Sequence, residues 1–245
     1  MGRGTIRQIL LLTDGCSNSG EDPVAIAALA KEDGISVNVI GIVDNGDMNE
    51  QGISEVESIA ESGGGISQIV YAKQLSQTVQ MVTRKAMTQT IHGVVNKEIS
   101  QILGEEKELE DIEPEKRGKL MEVVDELGET MDLDVFILVD TSASMRNKLP
   151  MVQEALLDLS ISLRSRTGKN HYALYSFPGK RKDIDKLIQW TPHFDTISSA
   201  FKKLSMGGIT PTGPALQEAI RLFQKRMKKR GTDEDERFDL EEAGM

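Results

Sequence analysis

Asp140-Thr141-Ser142-Ala143-Ser144 puts a carboxylate and two hydroxyls at alternate positions directly after the apolar run Val135 to Val139. That run reads as a buried strand. The oxygens therefore emerge where a strand of an open α/β sheet ends, the edge at which ligands bind. Three hard oxygen donors aimed at one spot describe a cation site rather than core. Two further segments offer the same chemistry. Gly207-Gly-Ile-Thr-Pro-Thr-Gly213 is a Gly-rich loop opening a helix near Pro214, with Thr210 and Thr212 as alternative donors. Leu11-Leu12-Thr13-Asp14-Gly15 is a second apolar strand ending in a carboxylate. Mg²⁺ takes six hard oxygens at roughly 2.0–2.1 Å, keeps several waters, and is usually held by only one or two carboxylates. Hydroxyls from Ser142, Ser144 and Thr210, with charge from Asp140 and Asp14, meet that demand. Plain structural readings stand beside it: Asp140 and Thr210 as helix caps, the serines and Asp14-Gly15 as turn residues.

Taken together, these segments resemble the metal-ion-dependent adhesion site of von Willebrand factor type A (vWA) domains, whose pattern is Asp-x-Ser-x-Ser, then Thr, then Asp. By that resemblance the metal ligands are Asp140, Ser142, Ser144, Thr210 and Asp14, with Thr210 preferred to Thr212. The order differs from the family's, because the final Asp comes first in this chain. Residues 5–103 resemble the C-terminal half of the fold plus a long helix, and residues 133–230 its N-terminal half. The chain thus reads as a circular permutant, which surface termini lying close together allow. Within the family it resembles the YabS-like vWA proteins of spore-forming Bacilli.

The resemblance implies a Rossmann-like α/β fold and a Mg²⁺ cofactor (or Mn²⁺ or Ca²⁺). It implies a protein partner offering an Asp or Glu carboxylate to the bound ion, and a cytoplasmic, non-enzymatic binding module. A phosphoryl hydrolase of the Asp-x-Asp-x-Thr/Val type is the rival reading, but that pattern expects an Asp where Ser142 stands. A metal-independent assembly scaffold is the other, for example a swapped homodimer in which the halves complete each other between chains; the protein itself is expected to be a monomer or such a swapped homodimer.

The elements that must position these residues alternate. Gln8 to Thr13 is a strand apolar at consecutive positions, as expected when helices cover both faces. Asp22-Pro23 starts a helix over Val24 to Asp33 that stops at Gly34. Ser36 to Val43 is a strand, Ser54 to Glu61 a helix, and Ile66 to Ala72 a strand. This run predicts parallel strands with right-handed crossovers. A long helix follows from Gln74 to Leu103, with Leu75, Val79, Val82 and Ala86 on one stripe and Ile91, Val95, Ile99 and Ile102 extending it. Residues 104–132 form a charged helical linker, in which Pro114 starts a helix with Leu120, Val123, Val124 and Leu127 on its apolar side. After the Asp134 to Val139 strand, a helix is expected from Leu149 to Arg166. Strands His171 to Phe177 and Ile184 to Trp190 form a hairpin through Pro178-Gly179. Asp195 caps a helix from Thr196 to Leu204, and the last helix ends in Lys225 to Arg230.

Of 245 residues, 38% are hydrophobic and 28% charged, enough for a real core. No apolar run approaches the roughly 20 residues that span a bilayer, and no signal peptide is read at the N-terminus. A net charge of −10 argues against nucleic acid as the main partner. The basic run Lys225 to Arg230 reads as cations favourably placed at a helix C-terminus. The acidic residues after it, Asp233 to Glu242, read as a disordered tail over 231–245. The single Cys16 excludes an internal disulfide and suits a reducing cytosol. His92, His171 and His193 lack metal-ligand spacing, so zinc is not expected.

Overall fold

The computed structural model describes residues 4–43, 48–103, 113–202, 204 and 206–243, with side chains at all of these except 102–103 and 231–243. The chain runs β1 (Thr5–Thr13), α1 (Pro23–Glu32), β2 (Ser36–Val43), α2 (Glu50–Ser62), β3 (Gly64–Tyr71), α3 (Leu75–Leu103), α4 (Pro114–Thr130) and β4 (Asp132–Asp140). It continues through α5 (Leu149–Ser162), β5 (Asn170–Phe177), β6 (Asp185–Thr191), α6 (Ile197–Phe201) and α7 (Thr212–Ala243). The six strands form one sheet in the order β3-β2-β1-β4-β5-β6. All neighbours are parallel except the edge pair β5–β6. This is the α/β architecture, mostly parallel with helices on both faces, that the alternating pattern predicts.

Both faces of the sheet are covered, and the strands show why. In β1, Leu10 and Leu12 pack on one helical layer with α3 and α5, while Ile9 and Leu11 pack on the other with α1, α2 and α7. β4 is buried along its whole length. At about 25 cal/mol per Å² of apolar surface removed from water, such two-sided strands dominate the stabilisation. α1 follows its sequence signals closely: the Asp22 side chain accepts from Val24 N, Pro23 opens the helix, and Gly34 turns the chain at φ 70°.

The order of the strands decides where a site can form. From β1 the chain steps outward through β2 and β3, and from β4 it steps the opposite way through β5 and β6. β1 and β4 therefore flank the point where strand order reverses, and ligands of open α/β sheets bind beyond the carboxyl ends there. The register pairs Leu12 with Val139, so Asp14 and Asp140 follow at adjoining strand ends.

Some expectations change. α2 begins at Glu50, earlier than Ser54, because the Asn49 side chain accepts from Gly52 N and starts the helix there. Asp195 does not cap α6; Thr196 precedes the helix without a side-chain cap, and Asp195 Oδ1 lies 3.7 Å from Arg164 Nη2. Within α4, Val124 is buried while Val123 is exposed, because the face turned to the core carries Val124 and Leu127. α7 does not end at Arg230 with a disordered tail but carries helical backbone to Ala243. Glu, Arg, Leu and Ala are good helix formers. The basic run is accordingly not at a helix end. Instead Arg226 Nε donates to Asp134 Oδ2 at 2.8 Å, and Arg230 Nη1 reaches the same carboxylate at 3.0 Å, tying α7 to β4.

Candidate metal centre

Asp140 ends β4 fully buried. Its Oδ1 accepts from Ser142 N at 2.7 Å and its Oδ2 from the Thr13 hydroxyl at 2.8 Å. The first bond curls the chain after the strand. Thr141 locks the curl to the neighbouring strand, its N–H and hydroxyl both donating to Phe177 O. Ala143–Asn147 then forms a short 3₁₀ turn that carries Ser144 to the surface. Ser142 Oγ and Ser144 Oγ lie 3.1 Å apart, and Ser144 Oγ donates to Asp14 Oδ1 at 2.8 Å, across 130 positions of sequence. Asp140, Ser142, Ser144 and Asp14 thus form one continuous cluster, buried at Asp140 and open to solvent at Ser144.

The threonine loop is tied to the segment that follows Asp140. Gly207 N donates to Thr141 O at 3.0 Å. Asn18 holds Thr210 from both sides, its side chain accepting from Thr210 N at 2.8 Å while its own N–H donates to Thr210 O at 3.1 Å. Gly213 permits the close approach, since a Cβ there would meet Glu21 O at 1.9 Å. Thr210 and Thr212 are both buried, and Thr212 Oγ1 has no hydrogen-bond partner.

The electrostatics are those of a site wanting positive charge. Burial pushes the Asp140 carboxyl up to about 6; the Ser142 and Thr13 bonds hold it down, and the Asp14 charge raises it further. Two carboxylates at adjoining strand ends repel, and a cation between them removes the conflict. Among the described residues no three His, Cys, Asp or Glu side chains gather as a metal cluster, so an ion at this edge depends on hydroxyls as well as carboxylates. The donor set is all oxygen, the orphaned Thr212 hydroxyl lies in its loop, and both suit a hard divalent ion such as Mg²⁺.

Three contributors were not read from the sequence. Thr13 and Asn18 fix Asp140 and the Thr210 loop. Lys148, at the foot of α5, donates from Nζ to Asp14 Oδ2 at 2.6 Å. The position of Thr13 beside Asp14 at a strand end was a usable signal. Nothing local marks Asn18 or Lys148, whose partners lie more than a hundred residues away in sequence. Cys16 is half-buried, with its Sγ 3.7 Å from Asn49 Oδ1.

Comparison with known proteins bears on the same region. The von Willebrand factor type A domain family matches residues 135–234. The "Uncharacterized protein YabS" of Bacillus subtilis (strain 168) is 59% identical over 247 residues, covering 100% of this chain and 100% of that protein. Among solved structures, an uncharacterized protein from Alicyclobacillus acidocaldarius subsp. acidocaldarius DSM 446 superposes with a TM-score of 0.84 at 42% identity. That match covers 92% of this chain and 96% of that one.

Proposed function

The chain belongs to the family of the Bacillus subtilis protein YabS, with a von Willebrand factor type A domain, and on that premise we propose that it is a divalent-cation-dependent protein-binding module. The ion's ligands are Asp140, Ser142, Ser144, Thr210 and Asp14, and the partner supplies an Asp or Glu carboxylate. The bound ion supplies a positive centre for that carboxylate. The chain's own residues orient it: Asn18 and Gly213 seat the threonine loop, while the Thr141 anchor and the 3₁₀ turn expose Ser144. The module acts in the cytoplasm, a setting that suits a chain with one cysteine.

The observation that carries this reading is the junction of Ser144 with Asp14 at the β1/β4 switch point, where two distant segments present oxygen donors to one spot. The permuted order of the two halves is part of the proposal. It is supported by the family match beginning at residue 135, in β4, while a ligand carboxylate comes from residue 14.

The test is calorimetric titration with Mg²⁺ and Mn²⁺. Wild type binds one ion, and Ser142→Ala or Thr210→Ala weakens binding at least about tenfold, the loss expected when a metal-site group is removed. Thr212→Val costs less, about threefold, because that hydroxyl acts only beside the ligands. A larger loss at Thr212 moves the ligand to that residue. Wild-type protein that binds neither ion ends the proposal when the variant lacking the Lys148 charge is equally silent. A pull-down from native cytosol in Mg²⁺ and in EDTA then identifies the partner.

A further inference from the structure

Lys148 brings a cation into the cluster of proposed ligands. Its Nζ lies 2.6 Å from Asp14 Oδ2, with the two side chains 9% and 2% exposed. Ser144 holds the other oxygen of Asp14, so both lone-pair faces of that carboxylate are engaged. The lysine is held where it is by its backbone: its N–H donates to Met145 O at 2.9 Å and its carbonyl accepts from Val152 N at 3.0 Å, at the joint of the 3₁₀ turn and α5. The turn that presents Ser144 therefore also delivers the ammonium. Burying a carboxylate is costly without an opposite charge beside it, and Lys148 supplies that charge to Asp14.

We infer that Lys148 is a built-in competitor of the metal ion for Asp14. The inference rests on the metal-centre reading above and adds its regulation. An ion drawing on Asp14 must take Oδ2 from the ammonium, and until the ammonium withdraws a positive charge within a few ångströms opposes the incoming cation, in surroundings where charges are weakly screened. The lysine thereby keeps the cluster assembled without an ion and weakens ion binding, so that occupancy follows the free ion concentration.

The experiment is Mn²⁺ titration by calorimetry of wild type, Lys148→Met and Lys148→Arg, with no partner present. Lys148→Met, which keeps the length and removes the charge, should bind Mn²⁺ at least about tenfold more tightly, one charge–charge term being worth that much. Lys148→Arg, which keeps the charge, should stay within about threefold of wild type. Binding by Lys148→Met alone supports the inference in its strongest form. Equal or weaker binding by Lys148→Met, with wild type still binding, overturns it and leaves the metal centre standing. Binding by neither overturns both. Should Lys148→Met fail to fold, the wild type decides by reductive methylation read by mass spectrometry. Mn²⁺ should raise labelling of Lys148 at least about threefold relative to exposed Lys169; unchanged labelling overturns the inference.

Discussion

At the scale of single residues, the site is a set of choices that cost stability. Asp140 is fully buried, and burial first, then the Asp14 charge, push its carboxyl to about 6 against the restraint of its two hydrogen bonds. A folded value above the usual carboxylate range means that the neutral form is favoured by the fold. Its contribution to stability is therefore complete below about pH 4 and lost as the pH rises through about 6. A shift of that size is worth on the order of 3 kcal/mol at most. Asp140→Asn should remove this penalty, because an amide oxygen can still accept from Ser142 N. The amide NH₂ faces Thr13 Oγ1, which can accept while donating to Gly15 O. In EDTA at pH 7.5 the variant should melt about 2 °C or more above wild type, with the gap closing at pH 4.5. A midpoint at or below wild type at pH 7.5 would mean that the ionised carboxylate is not under strain. Asp140, Ser142, Ser144 and Asp14, which the structure brings together, stand out in the sequence because each sits in a short pattern after an apolar run, and Thr210 stands out through its Gly-rich loop. Lys148 and Asn18 could not, because what they do depends on where a turn and a loop come to rest.

At the scale of elements, strand and helix boundaries follow local signals well: β2 falls on Ser36–Val43 and α1 on its Asp22-Pro23 start. What local patterns miss is how elements are tied together. Arg166, at the end of the 3₁₀ turn after α5, donates to Gly128 O, Met131 O and Asn170 Oδ1, fastening α4 to the second half. The basic run of α7 shows the same limit. Its spacing suggests a helix end, yet Arg226 stacks over Trp190 at 4.1 Å and joins Arg230 on Asp134. Burial alone would raise the Asp134 carboxyl. His171, whose Nδ1 lies 3.2 Å away but is not aligned as a hydrogen bond, and the two arginines outweigh it and hold the group well below the usual range. Its stabilisation is therefore present above about pH 4 and is lost as the pH falls towards that depressed value. Asp134→Asn should cost about 2–4 kcal/mol at pH 7, less than a fully buried pair because both arginines are partly exposed. Urea unfolding at pH 7 and at pH 3 checks this, with the difference from wild type shrinking in acid. A deficit that stays constant with pH would assign the loss to packing instead.

At the scale of the whole molecule, the sheet is split by sequence but continuous in space. β4 lies between β1 and β5 and hydrogen-bonds to both, so neither half of the chain can bury its central strand alone. The two ends of the compact body also meet. Asp132 N donates to Gly4 O at 3.1 Å, and the Asp132 carboxylate lies 3.4 Å from Arg230 Nη2, so Gly4 and Arg230 share one neighbour. Proximity of termini is the physical condition for reordering a chain without changing its fold. Loop closure adds little cost, rising by only about 0.6 kcal/mol per doubling of length. If the proposed permutation is correct, it can be undone. A chain running from Pro114 to Arg230, through a short Gly/Ser linker to Gly4, and ending at Leu103 would keep every strand pairing and present Asp140, Ser142, Ser144 and Thr210 before Asp14. It should unfold in one cooperative transition and bind Mn²⁺ within about threefold of wild type, because none of its ligands has moved. The readouts are urea unfolding and calorimetry side by side. A reordered chain that folds but no longer binds would show that the ends of the natural chain, or the segment 104–112, take part in the site. One that does not fold would show that the connection through α3 and α4 is needed to bring β1 against β4.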